Sequence, residues 1–92
     1  MRQEHAQSLA RDVVLWLVAE EDLLGIFMGA TGCDASAIRA GVESPDFLAS
    51  VLDFVLMDDR WILAFCAQSG TPPERVRQAR QALPGGEEVH WT

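Results

Sequence analysis

Ninety-two residues, 49% of them apolar and 23% charged, are enough for one hydrophobic core, too few for two, and too apolar to stay disordered. The net charge of −7 comes from 14 acids against seven arginines and no lysine, which disfavours nucleic acid and anionic membrane surfaces as partners and favours basic ones. Lysine, asparagine and tyrosine are all missing, and their A/T-rich codons make this the mark of a GC-rich bacterial genome with no functional meaning.

The start, M-R-Q-E-H-A-Q-S-L-A-R-D, does not read as a signal peptide. The longest uncharged run, Leu23 to Cys33, has eleven residues and three glycines, well short of the ~20 that cross a bilayer. A cytoplasmic protein with no membrane contact is expected, so Cys33 and Cys66 are read as thiols rather than a disulfide.

In chain order, Leu9, Ala10, Val13, Val14, Trp16 and Leu17 recur at helical spacing over residues 3 to 19, with Gln3, Glu4, Gln7, Arg11 and Asp12 opposite. Leu15 and Val18 widen the stripe, and the expectation is a helix with neighbours on several sides. Glu20-Glu21-Asp22 opens a second helix, which carries Leu23, Leu24, Phe27 and Met28 up to a stop at Gly32. Asp34 caps a short helix from Ala35 to Gly41 that turns Ile38 inward.

Ser44-Pro45 starts a fourth helix, burying Phe47, Leu48, Val51, Leu52 and Val55 and leaving Asp46, Ser50 and Asp53 to water. After Asp58-Asp59-Arg60 a fifth carries Trp61, Ile62, Phe65 and Cys66 to Gly70. Thr71-Pro72-Pro73-Glu74 predicts a sixth, with Thr71 as cap and Val76, Ala79 and Leu83 on one face, ending at Pro84-Gly85-Gly86. Residues 84 to 92 read as a tail in which Val89 and Trp91 are placed to dock back.

A shift of 38 residues superposes the two halves without a gap. It puts Val13 on Val51, Leu17 on Val55, Glu20-Glu21 on Asp58-Asp59, Phe27 on Phe65, Gly32 on Gly70 and Ile38 on Val76. The fold expected is therefore all-α: a compact bundle of five or six short helices in one domain, residues 1 to 92. It would be built as two tandem three-helix units, about 4 to 42 and 44 to 83. In each unit the spacing Met28, Gly32, Ile38 or Cys66, Gly70, Val76 is that of a helix-turn-helix pair, a weak signal because any tight helix pair needs those roles.

The combination of L-L-G-I-F-M-G-A-T-G, then P-D-F-L-A-S-V-L-D-F-V-L-M-D-D, then A-F-C-A-Q-S-G-T-P-P-E-R-V-R-Q-A-R resembles a family of short alpha-proteobacterial proteins catalogued as domain of unknown function 3572. The resemblance covers about residues 8 to 84, with V-L-D-F-V-L-M-D-D its most specific part. It implies a small helical cytoplasmic protein and brings no catalytic or binding residues with it.

His5, Cys33, Cys66 and His90 stand alone, without the short spacings a metal site needs. Glu20-Glu21-Asp22 and Asp58-Asp59 could supply paired carboxylates for acid catalysis, but equivalent helix starts explain both. No nucleophile motif or phosphate-cradling loop is present, so no catalytic residue, cofactor or metal ligand is assigned, and an enzyme is not expected. The function expected is a non-catalytic protein-interaction or regulatory accessory, binding an unknown protein partner or a second copy of itself. The alternative is a helix-turn-helix-like DNA binder using Arg75, Arg77 and Arg80. Trp61, Arg75, Arg77, Arg80 and Trp91 are the candidate interaction residues.

Overall fold

A computed structural model describes residues 1 to 85 as six helices: α1 (Gln3–Ala19), α2 (Glu21–Thr31), α3 (Ala35–Gly41), α4 (Pro45–Val55), α5 (Asp59–Ser69) and α6 (Pro73–Ala82). The fold is all-α. The boundaries follow local chemistry. Gly32 and Gly70 end α2 and α5 in the left-handed region, at φ 76° and 77°, where a side chain would be strained. The Asp34 carboxylate accepts the Ala37 amide at 2.8 Å and the Ser44 hydroxyl accepts the Phe47 amide at 3.3 Å, capping α3 and α4.

The start of α6 departs from expectation. Its N-cap is Pro72, at φ −67° and ψ 145°, and Thr71 makes no capping bond. The cause is Pro73, whose ring disfavours helical geometry in the residue before it, so the helix begins two residues after the threonine.

The first helix is the axis of the packing. α1 lies against α2, α4 and α6, while α4 packs on α5 and α6, and α5 on α6. The stripe read on α1 is mostly buried, with Ala6, Ala10, Val13, Val14, Trp16 and Leu17 in the core. Trp16 meets Phe65 edge-on at 5.8 Å, and Phe27 meets Phe54 at 5.1 Å and Phe47 at 6.3 Å, so α1 and α2 are joined to α4 and α5 through aromatic edges. Phe47 itself is only half-buried. Its ring sits on Gly41, where an added Cβ would come within 2.5 Å of Cγ, so the glycine is needed for that approach.

The expectation that α1 has neighbours on several sides fails at two residues. Leu15 is 71% exposed and Val18 is 44% exposed. The reason is helix length: at 1.5 Å per residue α3 spans only about 10 Å, so it cannot cover the flank it faces.

The 38-residue register holds at several helix ends. α2 and α5 begin and end 38 residues apart, as do the starts of α3 and α6. Even the turn bonds recur, with the Thr31 hydroxyl accepting the Cys33 amide and the Ser69 hydroxyl the Thr71 amide, both at 3.2 Å. The packing does not follow that register: α6 lies along α1 and α4, whereas α3, at the matching position, makes no approach to α1 as extensive as that of α6, although its Ile38 is buried in the core.

Arg80 is placed differently from its sequence reading. In place of a bare helix-end charge, its guanidinium spans Asp53 on α4 with two hydrogen bonds, Nη2 to Oδ2 being 3.1 Å, and donates through Nη1 to the Pro84 carbonyl at 3.0 Å. The pair ties α6 to α4. Because Asp53 is more than half exposed, a double-mutant cycle of Arg80→Ala and Asp53→Ala should return a coupling of only ~0.5 to 1 kcal/mol, screened by salt. Denaturant midpoints at low and high salt measure it, and a coupling of zero would remove the clamp.

Candidate apolar groove

The short α3 leaves an open groove of about 390 Å³ between the first three helices. Val14, Leu15 and Val18 of α1 form one wall, Leu24 and Met28 of α2 another, and Ile38 and Val42, within and just after α3, the third. Arg39 is the one charged side chain lining it. Val14 and Ile38 are buried as its floor, while Leu15 and Val18 stand at its mouth. Its volume falls within the roughly 300 to 1,000 Å³ of ligand sites, and its lining is apolar apart from Arg39.

The candidate residues read from the sequence lie elsewhere. Trp61 is half-buried and stacked on Phe54, with ring centroids 4.7 Å apart at 20°, so it is packed rather than displayed. Arg75 borders an open polar cleft with His5, Ser8, Asp12 and Thr71. Arg77 lies 3.9 Å from Glu74, and Arg80 is held by Asp53. Positions 75 and 77 are about 200° apart around a helix, so the three arginines form no common face. Trp91 and Val89, with all of the tail beyond residue 85, lie outside the described residues.

The two acidic clusters are not equivalent. Asp58 caps α5: its carboxylate accepts the Arg60 amide at 2.9 Å and the Arg60 guanidinium at 2.7 and 3.1 Å. These side-chain and backbone bonds from Arg60 hold the Asp58 carboxyl below the usual carboxylate range. Glu20 caps α2 in position only, with no side-chain bond. Cys66 is buried and Cys33 partly buried, both as free thiols, and burial raises the pKa of the Cys66 thiol against a smaller opposing effect of Arg77. Among the described residues no group of three or more His, Cys, Asp or Glu side chains is arranged to hold a metal ion, and no helix is long and apolar enough to cross a membrane.

The groove residues were visible in the sequence only as surplus. Six consecutive apolar residues, Val13 to Val18, exceed what one helix face can bury, and the two that the bundle leaves out are the two at the groove mouth.

Fold and groove together define a small all-α domain that presents an apolar recess built by three helices. The chain belongs to the family described as Protein of unknown function (DUF3572), whose model matches residues 3 to 86. Comparison with curated proteins and with solved structures gave no match.

Proposed function

We propose that this chain is a non-catalytic interaction domain that binds the apolar face of a helical segment from another protein in the groove between α1, α2 and α3. The observation that carries the reading is Leu15, 71% exposed on the helix at the axis of the packing and lining a recess that is apolar apart from Arg39. Helix-in-groove recognition uses such a surface: side chains at helical spacing enter an apolar cleft and release water from both faces. Burying a leucine contributes about 1.5 to 3 kcal/mol, so one anchor of this kind is worth roughly tenfold or more in affinity.

The DNA-binding alternative draws little from α6. Arg80 is committed to Asp53, Arg77 and Arg75 point to different sides, and the net charge of −7 opposes approach to a polyanion.

A photo-crosslinking residue at position 15 should capture a discrete protein partner in cells, while the same residue at the exposed Leu63 on α5 should not. Leu15→Gln, combined with a crosslinker at position 18, should lose that adduct while keeping the wild-type melting curve. Equal adducts from positions 15 and 63, or an adduct unchanged in Leu15→Gln, would overturn the reading.

A further inference from the structure

Building on the groove reading, we infer that the segment it accepts is a cationic amphipathic helix, with an apolar stripe for the groove and Lys or Arg on its flanks. The inference comes from the exposed acids that adjoin the groove-lining residues along the chain. Where α1 turns into α2, the exposed Glu20, Glu21 and Asp22 directly follow Ala19, which lines the groove. Where α2 turns into α3, the exposed Asp34 precedes the lining Ala35. At the far end Glu43 follows Val42, and there Arg11 supplies the local countercharge, its Nε donating to the Val42 carbonyl at 3.2 Å and its Nη2 lying 3.9 Å from Glu43.

At these first two turns four exposed carboxylates adjoin the lining along the chain, against the single Arg39 within it. Some of that acidity serves the N-termini of α2 and α3, and the net charge of the whole chain has the same sign. A second copy of the chain would bring −7 to −7 and set these acids against another acidic surface. Nucleic acid and anionic lipid meet the same repulsion. A helix with a basic border is the occupant for which both the apolar floor and the adjoining acids are favourable.

The test uses the full chain and three fluorescein-labelled model helices that share one leucine stripe and carry Lys, Gln or Glu along its borders. Anisotropy titrations in about 50 mM and about 500 mM NaCl separate the electrostatic part, which the higher salt screens. The Lys-bordered helix should bind roughly tenfold tighter than the Gln-bordered one at low salt, since several exposed pairs each contribute a little, and the Glu-bordered helix should bind weakest. High salt should bring the three together without abolishing binding, and Glu20→Gln/Glu21→Gln should reduce the advantage of Lys. Leu15→Gln, which changes no charge, should weaken all three.

Equal binding of the three helices at low salt, lost in Leu15→Gln, would overturn the cationic partner and leave the groove reading standing. Binding that ignores Leu15→Gln, or no binding by any helix, would overturn the groove reading, and the inference with it. A free fatty acid that displaces the Lys helix and itself binds more tightly would overturn the inference in favour of a small apolar ligand.

Discussion

Phe27→Ala should lower the unfolding free energy by ~3 to 5 kcal/mol, out of the ~5 to 14 kcal/mol that a domain of this length holds. The ring is 1% exposed and touches Phe47 and Phe54 edge-on, so it joins α2 to both the start and the end of α4. Truncation removes its transfer free energy and two aromatic contacts, and it opens a cavity that α2 cannot collapse into while α1 holds it from the other side. Phe47→Ala should cost distinctly less. That ring is partly exposed and rests on Gly41, which has no side chain to lose contact with it. Urea unfolding followed by helical circular dichroism measures both, and a Phe27→Ala loss no greater than that of Phe47→Ala would mean that the aromatic junction is not the core's centre.

The helix ends were legible because they are written in local chemistry. Gly32, Gly70, Asp34 and Ser44-Pro45 each act within three or four residues, and the α2, α3 and α5 boundaries fall where those residues put them. Thr71 misled because two signals competed within four residues, and the steric demand of Pro73 on Pro72 won over the capping hydroxyl.

Tertiary relations were another matter. Arg80 looks like a helix-end charge until Asp53, 27 residues earlier, is brought beside it. The groove depends on a similar non-local fact. Hydrophobic spacing shows that Val13 to Val18 has apolar residues to spare, but which of them stay in water depends on where a seven-residue α3 ends against a seventeen-residue α1. Trp61 shows the converse: a large aromatic beside an acidic turn resembles a display residue, and its stacking on Phe54 is set by how α4 meets α5.

Ala10→Leu should be the costlier of two changes on α1, although it adds apolar surface where Leu15→Gln removes it. Ala10 and Ala6 are fully buried on α1, and Ala79 is fully buried on α6, the helix that lies along it. Small side chains at such positions let two backbones come close, so a leucine must force its rotamer or push a neighbouring helix away, at ~1 to 3 kcal/mol or more. Leu15 sits about 140° around the helix from Ala10, on the flank that α3 leaves open. Its replacement by glutamine should change stability by no more than ~0.5 kcal/mol, since the two residues have similar helix propensity and little packing is lost. Thermal melts of both variants decide the matter: an unchanged Ala10→Leu would show that α1 is loosely fitted to its neighbours at Ala10, and a strongly destabilised Leu15→Gln would show that the groove is part of the core. With the expected outcome, Leu15 is a large apolar residue that the fold itself does not need.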